Sequence, residues 1–108
     1  MLAQQFSCEV VPNRDGVVVA PRGELDMATI GAVEQELRRA REAGFESIVL
    51  DLRGLTFMDS TGLHLVTRWT SEASNDGFRF EIEPGPPAIQ RVFELAEMTD
   101  GLPLRRSE

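Results

Sequence analysis

The sequence predicts an α/β fold: a mixed central sheet of four to five strands, opened by an antiparallel hairpin, with three or four helices packed on it. Three observations predict it. Two β-type runs flank the turn Pro12-Asn13-Arg14-Asp15-Gly16, where Asp-Gly is a strong hairpin signal. Beyond the hairpin, strand-like apolar runs alternate with segments whose apolar residues recur every three or four positions. The chain has 108 residues, enough for one core, so 1–108 reads as a single domain.

Phe6 to Val11 alternates weakly and reads as the first strand. Val17-Val18-Val19-Ala20 is the second, ended by Gly23-Glu24-Leu25-Asp26. Asp26 is a candidate N-cap for the next segment, in competition with Thr29. Ile30, Val33, Leu37 and Ala40 then step by three, four and three, which is one apolar helix face; Gly44 stops it. Ser47 to Leu52 is a mostly continuous β-branched run, as in a strand covered on both sides. Asp59-Ser60-Thr61-Gly62 opens a second helix, with Leu63, Val66, Thr70 and Ala73 on one side and Leu65 and Trp69 extending the surface. Asn75-Asp76-Gly77 ends it. Phe78, Phe80 and Ile82 alternate with charged residues, the pattern of a half-buried strand. Pro84-Gly85-Pro86-Pro87 leads into a third helix with Ile89, Val92, Phe93 and Ala96 on one face. Asp100-Gly101 closes that helix, and Leu102-Pro103-Leu104 is read as a short edge strand. The order is β-β-α-β-α-β-α with a possible final β.

Composition narrows the function. Eighteen acidic residues against eleven basic ones leave a net charge of −7. Phosphate contacts need a basic face, so neither nucleic acid nor an anionic membrane is an expected partner. The single cysteine, Cys8, excludes an internal disulfide and a cysteine-rich zinc site, and reads as a small core residue. One histidine with scattered carboxylates makes no metal site, and no cofactor is expected. Met1–Phe6 lacks the basic-then-apolar pattern of a secretion signal, so a cytoplasmic protein is expected.

The most informative stretch is Leu55-Thr56-Phe57-Met58-Asp59-Ser60-Thr61-Gly62-Leu63. It follows the strand Ile48-Val49-Leu50-Asp51-Leu52 and starts a helix. The free N–H groups of such a start favour negative charge. Ser60 and Thr61 can be plain caps, or Ser60 can be an exposed hydroxyl for a kinase. His64 follows Ser60 by four residues and is read as a surface or partner-facing residue. Asp59, Ser60 and His64 do not make a hydrolase triad, which needs base and orienter aimed from separate elements, and an oxyanion hole. The chain contains no lysine, hence no phosphate-binding Gly-rich loop ending in one, and no enzymatic activity is expected.

Gly23-Glu24-Leu25-Asp26, the strand at 48–52, the run Phe57-Met58-Asp59-Ser60-Thr61-Gly62-Leu63 and the segment Ala88–Leu95 together resemble the STAS domain, the fold of bacterial anti-sigma factor antagonists. The likeness runs from about Val17 to Leu104. It implies a transcription regulator that works by partner switching. The unmodified protein would bind an anti-sigma factor that is also a serine kinase, so that a sigma factor is released. The kinase would then phosphorylate Ser60, the phosphoprotein would let go, and a phosphatase would restore it. By the same match Asp26, Asp59, Ser60, Thr61 and Gly62 would form the partner-binding site, joined by His64 from its place one turn along the helix, with Gly62 suited to close approach by a partner. A monomer or weak dimer is expected. Many domains of this family continue into a further helix after the last strand, and here that helix is expected to be missing or very short. The alternative implied by the resemblance is a non-switching STAS subunit of a larger complex, such as a stress-signalling scaffold or a lipid-transport assembly.

Overall fold

The computed structural model describes residues 5–96 and Leu104. Its elements are β1 (Ser7–Pro12), β2 (Val17–Leu25), α1 (Ile30–Glu42), β3 (Ser47–Asp51), β4 (Leu55–Met58), α2 (Ser60–Asp76), β5 (Arg79–Glu83) and α3 (Pro87–Leu95). The predicted α/β class with a hairpin-opened mixed sheet is what the chain forms. β1 and β2 pair antiparallel, with Pro12 opposite Val17. The hairpin turn is held by Asn13, whose Oδ1 accepts the N–H of Asp15 and of Gly16. β2–β3 and β3–β5 are parallel, so the path across the sheet is β1-β2-β3-β5.

One strand goes beyond the predicted order. β2 is nine residues long and serves two parallel partners on the same side. Val17–Val19 pair with β3, and Gly23–Leu25 pair with β4. The register shifts between Gly23 and Glu24, where Gly23 takes a φ of 104° that an L side chain rarely adopts. β4 has only four residues, and its burial does not alternate: Leu55 and Met58 are buried while Thr56 and Phe57 are exposed. A bulged pairing breaks the period-2 signal, so the run reads in sequence as a lead-in to the helix.

The core is one cluster. Val17, Val19 and Leu25 of β2, Ile48 and Leu50 of β3, and Phe80 and Ile82 of β5 meet Val33 and Leu37 of α1, Leu65, Val66 and Trp69 of α2, and Ile89 and Phe93 of α3. The predicted helix faces are therefore the buried ones, with Ala96 an exception: it is exposed and follows the last turn of α3. Leu104 forms an isolated parallel bridge to Ile82. The expected Asp100-Gly101 stop, and Leu102 and Pro103 of the expected last strand, lie outside the described residues, as does the chain beyond Leu104. No helix among the described residues is long and apolar enough to cross a membrane.

Candidate functional site

The site is built where β2 and β4 leave the sheet. Leu25 pairs with Met58, and the Asp59 N–H donates to the Leu25 carbonyl at 3.3 Å. Asp26 and Asp59 therefore begin their loops side by side, at the carboxyl ends of two adjacent parallel strands. Open α/β sheets place their binding loops at such ends.

Asp59 is the N-cap of α2. Its backbone is extended, and its Oδ1 accepts the Thr61 N–H at 2.9 Å. The Gly62 N–H donates to the Asp59 carbonyl at 3.0 Å, which tightens the first turn. The capping duty that the sequence left open between Ser60 and Thr61 thus falls to the residue before them. Ser60 occupies the first helical position and is exposed; Thr61 is half-buried. A hydroxyl at this place is not needed to hold the helix, and it stands at the positive end of a 17-residue helix.

Gly62 is buried, and its lack of a side chain has an internal reason. A Cβ there would collide with Met58 Cγ, would stand 2.6 Å from Met58 Sδ, and would meet Leu25 Cδ2 at 3.3 Å. The glycine lets the start of α2 sit directly on the β2–β4 pair. The close approach expected of a partner at Gly62 is made by the protein's own Met58.

Asp26 does not cap α1. The helix starts at Ile30, with Thr29 in the N-cap position and no side-chain capping bond. Asp26 instead organises the turn before it: its Oδ1 accepts the Ala28 N–H at 2.9 Å, and its carbonyl accepts the N–H of Thr29 and of Ile30. Thr29 closes the turn from the other end. Its Oγ1 accepts the Asp26 N–H at 3.0 Å and donates to the Glu24 carbonyl at 2.8 Å. Both residues of the sequence-level competition take part, but in a turn rather than a helix cap.

His64 is exposed on α2, one turn beyond Ser60. Trp69, which by its spacing extends the apolar surface of α2, is fully buried. Its indole N–H donates to Glu34 Oε2 at 3.2 Å. Among the described residues no group of three or more His, Cys, Asp or Glu is arranged to hold a metal ion. Cys8 is half-buried; burial, reinforced by the Glu36 carboxylate, pushes its thiol up to about 11. It is therefore an uncharged thiol near neutral pH. Met27, in the Asp26–Thr29 turn, is the site feature that residue patterns missed. It is 82% exposed, and a lone methionine beside a cap candidate carries no signal in sequence.

The arrangement presents an unmodified hydroxyl, two carboxylates and a histidine on a rigid frame at one end of the sheet. An exposed serine hydroxyl in this position is chemically able to accept a transferred group.

Comparison with known proteins agrees with this fold. The family model described as the STAS domain matches residues 8–108. An anti-sigma-B factor antagonist of Staphylococcus aureus (strain NCTC 8325 / PS 47) is 31% identical over 78 residues, 72% of this chain and 72% of that protein. An anti-sigma factor antagonist from Mycobacterium paratuberculosis has a solved structure similar to this one, with a TM-score of 0.80 and 26% identity over 95% of this chain and 87% of that chain. SpoIIAA, an anti-sigma factor antagonist, is similar in its unphosphorylated form, with a TM-score of 0.73 and 26% identity over 96% of this chain and 89% of that one. The phosphorylated form of the Bacillus protein is similar too, with a TM-score of 0.68, 26% identity and coverage of 96% and 92%. By the family match over nearly its whole length, this chain belongs to the STAS domain family, and its named relatives are anti-sigma factor antagonists.

Proposed function

We propose that this protein is an anti-sigma factor antagonist switched at Ser60. In its unmodified form it binds an anti-sigma factor that is also a serine kinase, and a sigma factor is released. Phosphorylation of Ser60 ends the binding, and a phosphatase restores it. The observation that carries the reading is the division of labour at the start of α2: Asp59 makes the capping bond and Ser60 is left exposed. A structurally similar antagonist, SpoIIAA, is known in both an unphosphorylated and a phosphorylated form, which supports a switch of this kind.

The physics favours it. A phosphoserine adds about −1.5 to −2 charge and three acceptor oxygens. At a helix N-terminus the dipole tolerates that charge, so the fold survives. Asp59 is the next residue and Asp26 starts the neighbouring loop, so the added charge concentrates a patch that is already negative. Docking through that patch then carries the repulsion and the desolvation of the phosphate together. Asp26, Asp59, Ser60, Thr61 and His64 form the contact surface, with Gly62 setting the height of the helix start beneath it.

The test is phosphorylation by candidate anti-sigma factor kinases with ATP, mapped by mass spectrometry. Phosphate is expected on Ser60 and absent from Ser60→Ala. Ser60→Asp is expected to lose the partner; equal binding of wild type and Ser60→Asp would rule out the charge switch.

A further inference from the structure

Single exposed apolar side chains are common on protein surfaces. Met27 differs in two respects. Among the described residues it is the most exposed large hydrophobic, at 82%. It also sits on a turn pinned from both ends: Asp26 Oδ1 holds the Ala28 N–H, and Thr29 Oγ1 bridges the Asp26 N–H and the Glu24 carbonyl. The backbone carrying Met27 is thus held fixed while its side chain projects into water.

The turn's position gives the exposure a use. Leu25 and Met58 are paired, and Asp59 donates to the Leu25 carbonyl. The Asp26-Met27 turn and the Asp59-Ser60 turn therefore leave the sheet next to each other. The two strand ends and their turns carry exposed Glu24 and Ser60 and half-buried Asp26 and Asp59, and Phe57, which pairs with Glu24, is exposed as well. Exposed apolar side chains set among polar groups are the composition of a binding hot spot. A pre-ordered turn also lowers the ordering cost of docking.

We infer that Met27 is the apolar anchor by which the anti-sigma factor kinase recognises this protein, seated in an apolar socket of the kinase beside the site that receives Ser60. The inference rests on the reading of Ser60 as the kinase's substrate. Methionine suits the role, because its flexible, polarisable chain fills an irregular socket. The anchor acts on recognition and takes no part in phosphoryl transfer. It binds ground state and transition state alike, and so belongs to KM rather than kcat.

The test uses the full chain and the kinase found to modify Ser60, with steady-state phosphorylation as the readout. Met27→Gln is expected to raise KM about tenfold to a hundredfold, the value of burying such a side chain, with kcat unchanged. Met27→Leu is expected to restore most of the affinity. Both variants should melt at the wild-type temperature. A wild-type KM for Met27→Gln, or a fall in its melting temperature that accounts for the loss, overturns the anchor and leaves the Ser60 reading standing. If no anti-sigma factor kinase modifies the wild-type chain at Ser60, the underlying reading fails and the anchor fails with it.

Discussion

Asp59→Ala removes the acceptor of the Thr61 N–H and is expected to cost about 1 kcal/mol of stability. Ser60→Ala removes an exposed hydroxyl with no capping task and is expected to stay within about 0.5 kcal/mol of wild type. Urea denaturation of the two variants compares them directly; a loss in Ser60→Ala as large as that in Asp59→Ala would make the serine structural after all. Gly62 yields a second prediction at this scale. Its Cβ would have to displace Met58, which is 3% exposed and packed within the core. Gly62→Ala is expected to lose about 1–3 kcal/mol by overpacking, more than the gain of about 1 kcal/mol from replacing a helical glycine. The same change in a Met58→Ala background should cost distinctly less, and a double-mutant cycle by denaturation measures that coupling. Asp59 was legible in sequence as part of a helix start. Which of Asp59, Ser60 and Thr61 made the bond was not, because all three are capping types.

Helices α1 and α2 are joined by a polar seam over the buried Trp69. Arg38 makes two hydrogen bonds of 2.8 Å to Glu72, and its guanidinium lies 4.7 Å from the centre of the Trp69 ring. Glu34 accepts from the Trp69 indole and from Arg68, at 3.2 and 3.0 Å. The exposed pairs contribute little each, since water screens them and long side chains must be ordered. The indole bond is different, because Trp69 is fully buried and its N–H depends on Glu34. Glu34→Ala is therefore expected to cost about 1–3 kcal/mol, the price of an unsatisfied buried donor. Arg68→Ala, which removes only an exposed ion pair, should cost under about 1 kcal/mol. Equilibrium unfolding followed by Trp69 fluorescence separates the two, and equal effects would assign the seam's value to charge alone. The faces of α1 and α2 were legible from their three-four spacing. The seam was not, because it joins residues 34 and 35 positions apart. β4 escaped for a related reason: its pairing with β2 is bulged, and four residues of non-alternating burial carry no period.

Across the whole molecule, the switch proposed at Ser60 is expected to change what the protein binds and not whether it folds. The net charge is already −7, and Ser60 lies on the surface at the favourable end of a helix. Ser60→Asp should consequently keep the thermal midpoint of wild type within a few degrees while its affinity for the kinase falls. Circular dichroism melting beside a binding assay reads both, and a collapse in stability would mean that phosphorylation acts by unfolding. Such a separation is possible because Ser60 lies on the surface at the start of α2, outside the core cluster that positions the helix.

The sequence by itself determined the α/β class, the opening hairpin, the three helix faces, the absence of lysine and the motif Asp59-Ser60-Thr61-Gly62. Local periodicity, turn chemistry and residue type are sufficient for these, since each depends on neighbours within a few positions. Only the tertiary structure decided that β2 serves two strands, that Asp26 and Asp59 emerge side by side, and that the exposed Met27 sits on the turn next to the one that carries Ser60. These depend on a bulge at Gly23 and on contacts between segments some thirty residues apart. No window of sequence contains both partners of such a contact, so the folded chain alone brings them together.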